Sequence, residues 1–291
     1  MVRELDAESL QLIEKRDYLA ELIATARKML ADQNGLENLE KELAHYLNVR
    51  DEYPTARPIF KQLLGSLRNK SMMARVIGEI EPMRDAFFGF DHSKVLCDGG
   101  CRPLLGRLKE TVDRAKDVSM TNPKSLWRQF AEGAFDCANF MGTMFAGPDS
   151  PAGDFHKLID SHCQSPESAW QFANSIQWAI DGLGPALCCD FLKEIGSVQY
   201  SKPDTHVTDF LKGCRLIPQK KCDPYLAFLQ MWRISDATAS KPVIIDKIVW
   251  ILGSGRWTGE ESPKGVCMKQ FLVKVRAEIL PRYLDQASHS L

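Results

Sequence analysis

Asp181-Gly182-Leu183-Gly184-Pro185-Ala186 breaks an otherwise helical stretch with two glycines and a proline in four positions. Upstream, Ser165-Pro166-Glu167-Ser168 has a capping serine and a first-turn proline, the signature of a helix start. Trp170, Phe172, Ile176 and Trp178 carry that helix into the break. Downstream, Leu187, Cys188, Phe191, Leu192 and Ile195 fall on one side of a second helix. Gly182 and Gly184 suit a hairpin that needs positive φ or close backbone approach. The free N–H groups and positive dipole end of the second helix then point out of the turn, where an anion such as a phosphate can sit. A plain tight turn between helices explains the same residues.

The second informative segment is Lys202-Pro203-Asp204-Thr205-His206-Val207, with Asp204 eighteen positions after Ala186. It places a lone carboxylate just after a proline at the start of a new helix. Asp204 is either the cap of that helix or a group aimed at a ligand. His206 reads as a structural helix residue.

The 291 residues, 44% of them apolar, suffice for one large core or two moderate ones. No run of 18 apolar residues occurs, so no membrane span and no membrane partner are expected. Met1-Val2-Arg3-Glu4-Leu5-Asp6 lacks the basic-then-apolar pattern of a secretory signal, so an intracellular location is expected. The nine cysteines include no CxxC pair. Cys97, Cys101 and His92 are read as core residues and reduced thiols rather than a metal site.

A net charge of −1 excludes a generally basic surface, but the charge is unevenly spread. Residues 1–53 hold 7 basic and 12 acidic side chains, net −5. Lys202, Lys212, Arg215, Lys220 and Lys221 face only Asp204 and Asp209 between positions 202 and 221. That stripe is either a phosphate-binding surface or an ordinary solvated helix face.

Periodicity is helical almost throughout, and no alternating strand or internal repeat stands out, so the expected class is all-α. Leu10, Ile13, Leu19, Leu22, Ile23 and Leu30 share one helix face ending at Asn34-Gly35. Helical patterns follow over 36–49, from Pro54 through Leu67, over 72–90, 104–118 and 127–145. After Asp204 they recur at 207–211, 224–234, 243–252 and 268–283. Asp246-Lys247 is expected to form an ion pair within its helix. Gly253-Ser254-Gly255-Arg256-Trp257 is a helix terminator or a loop that touches a ligand. The expected organisation is an acidic helical extension over 1–53, a helical domain over 54–200 ending in the hairpin motif at 166–196, and a segment over 201–291 carrying Asp204.

The hairpin, the carboxylate and their separation together resemble the helix-hairpin-helix DNA glycosylase superfamily, which includes endonuclease III. The detailed resemblance covers about residues 165–215. It implies a two-lobed all-α fold with a cleft for a flipped nucleotide and double-stranded DNA as partner. Gly182, Leu183, Gly184, Pro185 and Ala186 would hold a backbone phosphate, with Lys202, Lys220 and Lys221 adding charge. The main-chain carbonyls of Trp178, Ile180 and Leu183 would coordinate a monovalent cation, sodium or potassium, and no other cofactor is expected. Asp204 falls on the catalytic aspartate, whose carboxylate stabilises positive charge on the sugar or orients the attacking water.

Several residues depart from the family pattern. Bifunctional members carry a lysine where this chain has Ala186, so no Schiff-base nucleophile stands there. Lys193 and Lys202 would need unusual geometry to replace it. Asp181 stands where a proline is common, Asp209 where an arginine is common, and the iron–sulfur loop of endonuclease III is absent. The expected function is a monofunctional DNA glycosylase. The alternative is a non-enzymatic helix-hairpin-helix DNA-binding protein in which Asp204 only caps its helix.

Overall fold

In a computed structural model the chain is all-α, and no β-strand occurs among the described residues, which are 12–70, 73–116, 118–119, 121–220, 223–256 and 267–288. Leu10, Lys221 and Trp257, singled out above, lie outside them. The chain divides into two compact units, Met1–Asn48 with Val198–Leu291, and Val49–Ser197.

Helix α1 (Arg16–Asn34) ends where Gly35 turns to φ 82° and its amide bonds the Ala31 carbonyl at 2.8 Å. Helix α2 (Leu36–Asn48) buries Leu39 and Leu43. The sequence reading set residues 1–53 apart. In the structure Leu19, Leu22, Ile23, Leu30, Leu39 and Leu43 share one apolar core with residues from Val207 to Leu280.

The unit over 49–197 opens with α3 (Ala56–Arg68), whose Ile59, Phe60, Leu63, Leu64 and Leu67 are buried at the expected helical spacing. The pattern over 72–90 is not one helix. Helix α4 (Met73–Ile77) stops at Gly78, φ 80°, and a short 3₁₀ turn, Glu81–Met83, contains Pro82. Phe88, Gly89 and Phe90 then adopt positive φ. Glycine and proline break the hydrogen-bond ladder there, although the apolar spacing suited a helix. Asp91 caps α5 (His92–Cys97), followed by α6 (Cys101–Thr111). The pattern expected to run to Val118 instead passes into a 3₁₀ turn at Asp113–Ala115.

Helix α7 (Leu126–Met144) buries Trp127, Phe130, Phe140 and Met141. The core here is aromatic, with Phe60, Phe87 and Phe130 meeting edge-on at 6.1 and 6.3 Å. Helix α8 (Gly153–His162) precedes the motif helices α9 (Pro166–Ala179) and α10 (Pro185–Glu194).

The other unit resumes with α11 (Thr205–Gly213), α12 (Pro224–Thr238) and α13 (Pro242–Ser254). Helix α13 is apolar nearly all round and accordingly buried from Pro242 to Val249. Helix α14 (Met268–Lys274) runs through a π-helical turn at Val275–Ile279 into α15 (Leu280–Ser288). Lys247 of α13, expected to pair with its neighbour Asp246, binds Glu42 of α2 at 2.9 Å and lies over the rings of Tyr46 and Trp250. Adjacent helical positions point in different directions, which leaves Lys247 facing α2.

Candidate nucleic-acid interface

The hairpin lies in the unit over 49–197. Helix α9 starts on Ser165, whose hydroxyl accepts the Ser168 amide, and ends at Ile180, whose amide bonds the Ile176 carbonyl. Gly182 sits at φ 91°, a conformation that strains any residue with a Cβ. The Leu183 amide reaches the Ile180 carbonyl at 3.4 Å to close the turn. Gly184 then takes the N-cap of α10 with no side-chain cap, and its carbonyl accepts from Leu187 and Cys188. Pro185 follows at N1, where its missing N–H costs nothing. The amides of Gly182, Gly184 and Ala186 make no hydrogen bond among the described residues. A cluster of open donors at a helix N-terminus is a site for an anion.

Three residues that the sequence did not single out shape this hairpin. Gly133 of α7 lets the turn approach, since a Cβ there would stand 2.8 Å from the Asp181 carbonyl oxygen and 2.9 Å from Leu67 Cδ1. Asp136, one turn further on, accepts the Asp181 amide at 3.1 Å. Burial pushes the Asp136 carboxyl up, and the Asp181 amide partly offsets this. Lys70 follows α3 and brings its ammonium to 3.1 Å from where a Gly182 Cβ would be. A mid-helix glycine at 133 was the one local signal available for these contacts.

Asp204 lies in the other unit. One carboxylate oxygen, Oδ1, accepts the amides of His206 at 2.9 Å and Val207 at 3.3 Å, so the residue caps α11. The other, Oδ2, accepts no hydrogen bond among the described residues and stands 4.0 Å from Lys202 Nζ. The side chain keeps 23% of its surface open. The segment before it is held from below, because Asp246 of the buried helix α13 accepts the Lys202 amide at 2.8 Å. His206 packs where Gly253 leaves room, since a Cβ on Gly253 would lie 2.4 Å from His206 Nδ1. That supports its structural reading.

Of the basic stripe, Lys202 is half-buried beside Asp204 and Lys220 is exposed, while Lys221 lies outside the described residues. Lys193 is buried, with Asp190 at 3.4 Å and Glu194 at 3.3 Å. Cys97 is exposed and His92 is buried against the Phe145 carbonyl at 3.4 Å. No group of three or more metal-binding side chains occurs among the described residues. No helix among them is long and apolar enough to cross a membrane.

No family model and no curated protein matches this chain. Among solved structures it is similar to a Methanocaldococcus jannaschii 8-oxoguanine glycosylase/lyase, crystallised in complex with 15mer DNA containing 8-oxoguanine, at 16% identity over 80% of this chain and 97% of that one, with a TM-score of 0.48.

Proposed function

We propose that the protein is a monofunctional DNA glycosylase that excises a damaged or mispaired base from double-stranded DNA. The observation that carries this reading is a pair of features. A hairpin presents the open amides of Gly182, Gly184 and Ala186, and eighteen residues after Ala186 comes a carboxylate with one fixed and one open oxygen. The hairpin binds a backbone phosphate through main-chain donors, which carries no sequence information and suits an enzyme that must scan any DNA. Lys202, Lys220 and Lys221 add charge toward the same polyanion.

In the reaction the target nucleotide leaves the stack at a cost of a few kcal/mol. The N-glycosidic bond then breaks, the electron pair leaves with the base, and positive charge develops on the deoxyribose. Asp204 Oδ2 stabilises that charge, and water adds to the sugar carbon to give an abasic site. Pinning Oδ1 to two amides fixes the carboxylate's direction before charge appears, which is the geometry electrostatic stabilisation requires.

The carbonyls of Trp178, Ile180 and Leu183 suit a monovalent cation, sodium or potassium. They are neutral oxygens at the end of α9 and in the turn, of which that of Ile180 also accepts the Leu183 amide. Bound there, a cation would supply structural support, holding the turn against a phosphate.

Ala186 has no amine, so the sugar is not attacked by the protein at that position. Incubation with duplexes carrying a panel of lesions and mispairs, with borohydride added in parallel, tests this. Base release without a trapped adduct is expected; a robust adduct would assign the chemistry to an amine and overturn the monofunctional reading. The cap made by Asp204 Oδ1 favours a second reading, a non-enzymatic helix-hairpin-helix DNA-binding protein. DNA binding without release of any base in the panel would establish that one.

A further inference from the structure

The hairpin carries a handicap as a phosphate site. Asp181 is exposed within the turn itself, and Asp136 lies directly behind it, so two carboxylates flank the open amides. Main-chain N–H groups alone face that unfavourable field. Lys70 reaches the same turn from another part of the unit, with Nζ and Cδ respectively 3.1 and 3.7 Å from the position of a Gly182 Cβ. Its backbone is fixed at both ends, by its amide to Leu67 at 3.1 Å and by its carbonyl to Met73 at 2.9 Å. Its ammonium makes no ion pair or hydrogen bond among the described residues. At the end of α9, three residues before Asp181, Trp178 is 83% exposed. No other large apolar side chain among the described residues is as open. A bare indole next to a phosphate-binding turn matches an aromatic platform for a nucleobase or deoxyribose.

We propose that Lys70 and Trp178 extend the hairpin into a contact surface for one DNA strand. Lys70 neutralises the phosphate held by the turn and offsets Asp181, and the Trp178 ring packs on the adjoining nucleoside. This rests on the reading of the hairpin as a phosphate site, and it assigns to two side chains what the main chain alone does not supply. The ammonium is a flexible point charge suited to a phosphate rather than to base recognition. Both contacts are therefore indifferent to sequence.

The test measures binding of the full chain to a lesion-free 20-base-pair duplex across a salt series. Lys70→Gln is expected to lower the slope of log affinity against log salt by about 0.9, the value for one phosphate contact. Trp178→Ala is expected to weaken binding about tenfold with the slope unchanged, in keeping with loss of one stacking contact. Trp178→Phe, which keeps an aromatic ring, should recover most of that loss. Gly184→Asp, which puts a carboxylate at the open helix end where a Cβ has space, is measured beside them. If Gly184→Asp weakens binding while Lys70→Gln and Trp178→Ala do not, the surface proposed here is wrong and the hairpin reading stands. If none of the variants changes binding, or the native protein does not bind the duplex, both fall. Thermal melting of each variant confirms that it is folded.

Discussion

Helices α10 and α11 begin alike and end up with opposite electrostatics. Each is preceded by an extended N-cap residue, Gly184 at φ −81°, ψ 170° and Asp204 at φ −95°, ψ −169°. At Gly184 there is no side chain to turn back, so the first amides stay open. At Asp204 the side chain supplies its own anion to the amides of His206 and Val207. The first end is therefore available to an anion from outside, and the second has already consumed its attraction in orienting a carboxylate. One difference in side chain thus separates a helix end with open amides from one that holds a carboxylate.

The largest effect is expected at Asp204. Asp204→Asn keeps an oxygen for the cap and removes the charge, so it should leave the melting temperature nearly unchanged. Excision measured in single turnover should fall at least about a hundredfold. Asp204→Ala removes both and should cost about 1 kcal/mol of stability in addition. Equal excision by Asp204→Asn and the native protein would reduce Asp204 to a cap.

The next largest effect is expected behind the hairpin. Gly133→Ala should destabilise the protein by about 1–3 kcal/mol in denaturant unfolding, because its Cβ meets the Asp181 carbonyl and Leu67, and neither backbone nor core yields readily. DNA affinity should fall with it as the turn is pushed out of shape. Unchanged stability would mean α7 does not support the turn.

A carboxylate at the N-cap would make α10 resemble α11. Gly184→Asp should stabilise the fold by a few tenths of a kcal/mol through capping. The same change should weaken DNA binding about tenfold, since the new carboxylate takes the amides and repels the phosphate. Gains in both quantities would show that this helix end is not the binding end.

A smaller effect separates the two units by their cores. His92 and His156, both in the unit over 49–197, are buried, with Nε2 near the carbonyls of Phe145 and Tyr53. Burial holds both below the ordinary value of 6.5, more than the carbonyl contacts raise them. The unfolded chain then binds more protons than the native one below about pH 6.5, so this contribution is present above that pH and is lost as pH falls. The urea midpoint should drop between pH 7.5 and 5.5, and less so in His156→Gln. Parallel profiles would place the sensitivity elsewhere.

Much of this was legible locally. The hairpin could be read because glycine is nearly alone in tolerating φ 91°, and because Ser165-Pro166 and Gly184-Pro185 state where helices begin. Asp204 was visible both as a cap and as a candidate carboxylate; in the structure Oδ1 makes the cap and Oδ2 accepts no hydrogen bond among the described residues. The helix expected over 72–90 shows the limit of periodicity, since apolar spacing persisted where Gly78 and Pro82 ended the ladder.

Local sequence sets the all-α class, the break between two helices at 181–186 and the position of the lone carboxylate. These depend on backbone dihedrals and on side chains acting within a few residues of themselves. Tertiary structure alone decided that Lys70, Gly133 and Asp136 meet the hairpin from 45 to more than 100 positions away, and that Asp246 holds the segment before Asp204. It also decided that α1 and α2 share a core with the last third of the chain. The physical reason is that such contacts are made by packing between helices. The chain's local pattern records which face of a helix is apolar, but not which partner that face will meet.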